Sequence, residues 1–215
     1  MVLNTPHGVC NRGIPHAAAV GAHREALHQY ARALQFGAGL VAERRAELLE
    51  RFAEEGYLAD LRDETLPSLD QALAIHRDAG EPLRTGDVLR LRARLKGDLG
   101  RTAKARVDAR EAAQILEQLP PGIELARAYA ELSCLALQAD EPGETLAWGQ
   151  TAYALADRLG DADALNTIGS IELSRGDMAG KDKLERSLRY RDMSRYADEG
   201  SSTARNTAST RGRSP

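Results

Sequence analysis

The stretch VLRLRARLKGDL, residues 88–99, decides the fold. Its apolar residues at Val88, Leu91, Leu95 and Leu99 step by three and four, which places them on one stripe of a helix and rules out the alternation of a half-buried strand. Gly100 ends the stretch, and a second helical pattern follows it to Ala113. Beyond Pro120-Pro121-Gly122 the same period resumes at Leu125, Ala128, Tyr129, Leu132 and Leu135.

Working outward, the pattern repeats. Glu25-Ala26 precedes Ala33-Leu34, Glu64-Thr65 precedes Ala72-Leu73, Lys104-Ala105 precedes Ala112-Ala113, and Glu144-Thr145 precedes Ala152-Tyr153, so successive copies lie 39, 40 and 40 residues apart. A weaker fifth copy ends at Ser187-Leu188. The breaks at Gly80, Pro120-Gly122 and Gly160 keep the same spacing, with Asp60, Gly100, Asp140 and Gly176 roughly midway between them. Each unit therefore reads as two helices of about 15 residues joined by tight turns. Alanine recurs at Ala33, Ala72, Ala112 and Ala152, where a larger side chain would push two helices apart. One such pair cannot bury its own stripe, whereas a stack of them buries a continuous core. The expected fold is all-α: a right-handed superhelix of tetratricopeptide-like helix pairs, about four and a half units with a period near 40.

Composition agrees. Of 215 residues 42% are hydrophobic but only 4% aromatic, so the core must be built mainly of Leu and Ala, which suits close-packed helices. The expected organisation is a disordered segment over 1–15, a helical domain over 16–190 and a disordered tail rich in Ser, Thr and Arg over 191–215. Two irregularities stand out. Only Pro15 to Gly21 remain for the first helix of the first unit, leaving a half-repeat with an exposed apolar edge open to self-association. Pro67 should delay the start of its helix to Thr65 or kink it.

The net charge of −3 calls for neither nucleic acid nor an anionic membrane, and no apolar run reaches the length of a membrane span. The N-terminus has no apolar signal core, and Cys10 and Cys134 are far apart, with no metal or redox spacing; the expectation is a cytoplasmic protein with two reduced thiols. Gly37-Ala38-Gly39-Leu40-Val41-Ala42 matches a dinucleotide-binding fingerprint, but a helical pattern precedes it where a strand is required, so it reads as a turn. Gly176-Asp177-Met178-Ala179-Gly180-Lys181 is one residue short of a phosphate loop and also follows a helix. His7, His16, His23, His28 and His76 form no metal face and read as solvated imidazoles. No catalytic residue, metal ligand or cofactor site is expected, and the chain reads as no enzyme.

Charge is more informative. From Arg84 to Arg110 nine Lys or Arg stand against Asp87, Asp98 and Asp108. Arg90 and Arg94 share one helical face, Arg92 and Lys96 another. These four are the candidate binding residues, for an acidic protein, peptide or effector in the groove of the stack.

Several stretches resemble a known repeat region: His23-Arg24-Glu25-Ala26 with Gln29-Tyr30-Ala31-Arg32-Ala33-Leu34, then Glu43 to Glu50, Ala147-Trp148-Gly149 and Ala164 to Gly169. Together they resemble the tetratricopeptide-like region of the large ATP-binding LuxR-type transcriptional regulators of actinobacteria. The resemblance covers roughly residues 16–190 and implies a sensing or protein-binding module. In that family an ATPase precedes the repeats and a helix-turn-helix follows them; the motifs of neither are found here. The resemblance therefore implies a fragment of such a regulator without ATP hydrolysis or DNA binding, or else a truncated or frameshifted relic.

Overall fold

The computed structural model describes residues 17–192 except Ala38, with side chains from Gly21 onward. The expectations of disorder over 1–15 and in most of the tail therefore lie outside the described residues, as does the role of Cys10. The described residues form helices throughout: α1 (Ala17–Phe36), α2 (Ala42–Leu58), α3 (Arg62–Asp78), α4 (Pro82–Asp98), α5 (Thr102–Leu116), α6 (Ile123–Gln138), α7 (Pro142–Leu159), α8 (Ala162–Ser174) and α9 (179–192). Each helix packs on the next. The pairs α2–α3, α4–α5 and α6–α7 are the most extensive, and the first helices of successive pairs also touch, α4 on α6 and α6 on α8. That is the stack of helix pairs the period of 40 predicts.

The turns explain the period. Asp60, Gly80, Gly100, Asp140, Gly160 and Gly176 all have positive φ, between 56° and 81°. After each one the next backbone N–H reaches back five residues, as from Leu61 to Gly56, Glu81 to His76, Arg101 to Lys96 and Glu141 to Ala136. This is the Schellman ending, which satisfies otherwise orphaned carbonyls with a left-handed residue. It recurs every 20 residues from Asp60 to Gly100 and from Asp140 to Gly160. Pro82 and Pro142 then open the next helix, where a missing N–H costs nothing. At the slot near 120 the chain uses Pro120-Pro121-Gly122 instead.

The core is Leu and Ala as composition requires. Leu69, Leu89, Leu95, Leu116, Leu135 and Leu165 are fully buried, and Ala72, Ala112 and Ala152 sit sealed between helices. Each buried Leu contributes roughly 1.5–3 kcal/mol. A buried serine clasps three of the four pairs. Ser68 Oγ donates to the Leu49 carbonyl between α3 and α2, Ser133 Oγ to the Thr145 carbonyl between α6 and α7, and Ser187 Oγ to the Ala162 carbonyl between α9 and α8.

Three expectations need correction. Among the described residues Gly21 does not end a short first helix: α1 runs unbroken through it, and its cost of about 1 kcal/mol is small in an Ala-rich stretch. Pro67 does not delay α3, which starts at Arg62. Pro67 and Asp63 are both exposed, so water can satisfy the Asp63 carbonyl that the missing N–H would have bonded. Cys134 is buried on α6 and disulfide-bonded, not a reduced thiol. The two glycine-rich motifs join helices, as expected. In the second, Gly180 lies within α9 against the Gly169 carbonyl of α8, so its lack of a side chain serves the crossing of the two helices.

The left-handed turns make opposite demands on their two residue types. Gly100→Ala should lower the stability of the fold by about 1 kcal/mol, and Asp140→Gly should raise it by about 0.5–1 kcal/mol, since only glycine adopts that conformation without strain. Urea denaturation of both variants measures the two signs.

Candidate functional site

The four basic residues singled out from the sequence all lie on α4, and the two predicted faces are real. Arg92 and Lys96 point together at α5. Arg92 grips Asp108 with Nε and Nη2, both at 2.8 Å, Lys96 Nζ donates to the same carboxylate at 2.6 Å, and Arg92 Nη1 also reaches Asp70. Arg90 and Arg94 turn toward α6. Arg90, only 6% exposed, donates to Asp87 at 2.7 Å; Arg94 Nε donates to Glu131 at 3.2 Å. The Tyr57 ring is flanked by two guanidiniums, those of Arg62 at 4.9 Å and Arg94 at 5.9 Å from its centroid.

The rest of the basic run is engaged in the same way. Arg101 bonds Asp63, Arg106 bonds Glu141 and Glu144, and Arg110 lies 3.8 Å from Glu144. Only Arg84 and Lys104 of the nine have neither hydrogen bond nor ion pair among the described residues.

Arg84 opens onto a groove of about 460 Å³ on the face formed by α2, α4 and α6. Tyr30 closes one side. Along α2 stand Arg44, Glu47, Glu50, Arg51 and Glu54, opposite Arg84 and Asp87 of α4 and Arg127 of α6. Most of these charges already have a counter-ion. Arg44 pairs with Glu47 at 2.6 Å and Arg51 with Glu54 at 2.8 Å. Arg127 forks onto Asp161 at 2.9–3.2 Å and reaches Asp163 at 3.1 Å. Glu50 is held from behind by His76, whose Nε2 lies 2.6 Å from Glu50 and whose Nδ1 lies 2.6 Å from Glu81. His76 is thus a buried bridge between α2 and the α3–α4 turn, not the solvated imidazole expected from sequence.

Burial and charge compete along this wall. Burial pushes the Glu50 carboxyl up, outweighing the His76 contact. Burial likewise raises Glu131 despite Arg94 and Arg90. At Asp87 burial pushes upward too, but the guanidiniums of Arg90, Arg127 and Arg94 overcome it and hold the carboxyl below its usual range. Hydrogen bonding from Arg44 lowers Glu47. Arg84 adds its field to Glu47 and Glu50 without bonding either.

Arg84 stood in the sequence only as the first member of the basic run. Nothing local separates it from Arg90 or Arg94, because the carboxylates that engage the others come largely from other helices. Among the described residues no cluster of His, Cys, Asp and Glu could hold a metal ion, and no helix is long and apolar enough to cross a membrane.

The fold has solved counterparts. The structure of BtubC (BKLC) from P. vanneervenii matches with a TM-score of 0.59 at 17% identity, over 81% of this chain and 75% of that one. A putative kinesin light chain from Podosopora anserina, with nearly identical TPR-like repeats, matches with a TM-score of 0.57 at 14% identity, over 89% of this chain and 96% of that one. The all-helical stack is therefore a TPR-like repeat solenoid. No family model matches the sequence, and no curated protein is similar to it.

Two consequences are measurable. Asp108→Ala removes the shared counter-ion of two largely buried cations and should cost roughly 3 kcal/mol, lowering the melting temperature by on the order of 10 °C. Asp87, with its lowered carboxyl, contributes stability that is present above about pH 4 and lost as the pH falls through its folded value. Asp87→Asn should therefore be less stable than the parent at neutral pH and lose stability less steeply with acid, as read by urea denaturation across that range.

Proposed function

We propose that this chain is a protein-binding module, not an enzyme, that receives an extended segment of a partner polypeptide in the α2–α4–α6 groove. The observation that carries this reading is Arg84, a cation at the groove without a counter-ion among the described residues, beside walls whose other charges are engaged. An acidic side chain of the partner would supply the missing charge. Sites for apolar small molecules are lined mainly by hydrophobic and aromatic groups, whereas this groove is lined by ion pairs, which suits the polar main chain and side chains of a peptide. Its four arginines face four carboxylates, so it has no surplus of positive charge to attract a phosphodiester backbone.

The candidate residues Arg90, Arg94, Arg92 and Lys96 take a supporting part in this proposal. Arg90 holds Asp87 in the wall, and the other three tie α4 to its neighbours, so the groove keeps its shape before the partner arrives. The resemblance to LuxR-type regulators supports a finer reading, in which the module is the sensing or interaction part of a transcriptional regulator.

The test compares the chain with its Arg84→Glu variant in affinity capture from native cells, followed by titration of the captured protein. Partner affinity should fall about tenfold or more while the melting temperature changes little, because Arg84 is exposed and has no hydrogen bond or ion pair among the described residues, only a field at Glu47 and Glu50. Undiminished binding by Arg84→Glu would remove the groove assignment.

A further inference from the structure

In each later unit, the second helix presents one face to the first helix of its own pair. Position by position, Ala33 corresponds to Ala72, Ala112 and Ala152, and Gln29 to Ser68, Asp108 and Trp148. Those three alanines are fully buried, Ser68 bonds the Leu49 carbonyl, and Asp108 binds Arg92 and Lys96. On α1 no helix occupies this seat among the described residues. Ala33 and Gln29 are exposed there, Gln29 turning along its own helix to Glu25 at 2.8 Å, and Phe36 is 77% exposed. Val41, just beyond, is 66% exposed and extends the apolar surface at the same end.

The face has an order of its own. Ala22, Ala26, Gln29, Ala33 and Phe36 follow one another by four, three, four and three residues, the spacing of a helix–helix seam. Gln29 is its midpoint. On one flank stand Glu25 and Arg32, seven residues apart on either side of Gln29, both exposed, and Arg32 has no ion pair among the described residues. An isologous interface must be self-complementary, each residue meeting its counterpart across a two-fold axis.

We propose that α1 is a homodimer interface, on which α1 of a second copy lies antiparallel about a two-fold axis near Gln29. In that arrangement Ala22 of each copy faces Phe36 of the other, small against large. Glu25 of each copy falls beside Arg32 of the other, so the charge pattern is complementary to itself and forms two ion pairs. A partner of unrelated sequence would not be matched by this inversion of sign about the centre of one helix. The interface continues the packing of helix on helix that the stack itself uses. A single helix face is smaller than a standard stable interface, so the dimer is weak and depends on concentration.

Analytical ultracentrifugation of the full chain from micromolar to millimolar concentration tests this. A reversible monomer–dimer equilibrium is expected. Phe36→Asp should abolish it. Glu25→Arg and Arg32→Glu should each weaken it about tenfold by turning two exposed attractions into repulsions. The double charge swap should restore dimerisation, and an equimolar mixture of the two single variants should form a heterodimer. These positions are exposed, so circular dichroism and thermal melting of every variant should match the parent, which separates loss of association from loss of fold. Arg84→Glu should dimerise like the parent, which keeps this result independent of the groove. A monomer at every concentration, a higher assembly, or a dimer indifferent to Phe36→Asp or to the charge swap overturns the proposal.

Discussion

Ion pairs that reach one repeat along the chain are the constraint on which the rest of this structure rests. Arg77 meets Glu111, Arg101 meets Asp63, Arg94 meets Glu131, Arg106 meets Glu141 and Glu144, and Arg127 meets Asp161, with separations in sequence of 34 to 38 residues. Each joins a helix to the helix of the same kind in the next unit. Hydrophobic burial drives the stacking, but it is non-directional and a Leu/Ala surface slides. Charges fixed at one-repeat intervals set the register of each unit on the next. The exposed pairs contribute little singly. Arg94 on Glu131 matters more, because breaking it strands a charge away from water; inside the α4–α5 pair the largely buried Arg92 and Lys96 depend on Asp108 in the same way.

This arrangement explains a feature that is ambiguous in the sequence. Nine Lys and Arg against three Asp between Arg84 and Arg110 read as a local basic excess suited to an acidic ligand. In space Asp63, Asp70, Glu131, Glu141 and Glu144, all outside that window, supply much of the balance. A window in sequence is a poor measure of local charge in a repeat protein, because the neighbours of a helix face lie a full unit away. What remains of the excess is concentrated at Arg84, at the groove mouth, and Lys104.

The fold was legible because its signals are local. Apolar steps of three and four mark helices, and the 39- and 40-residue offsets mark units. Asp60, Gly80, Gly100, Asp140, Gly160 and Gly176 mark turns, and every one proves left-handed. The groove was not legible in the same way. The partition between structural and available arginines depends on which carboxylate faces which guanidinium. His76 illustrates the same limit: its sequence neighbours give no sign that Glu50, 26 residues back, and Glu81 close on both its nitrogens. The late start expected at Pro67 fails for a related reason, since the cost of a proline depends on whether the carbonyl it strands faces water, and that is a property of the packed helix.

The same logic connects the groove with the edge of the stack. Where a repeat has its neighbours, equivalent positions become buried clasps: Ser68 on a carbonyl, Asp108 on two cations. Where no neighbour stands among the described residues, as on α1, the equivalent Gln29 is exposed and folds back on Glu25. Groups left without their repeat-mates are therefore the informative ones. Among the described residues Arg84 has no ion pair, standing at the groove and not in a seam, and no helix covers the α1 stripe, because the described stack opens on the second half of a unit. Both departures from the repeat face solvent, and the repeat itself states what the α1 positions hold when they are filled.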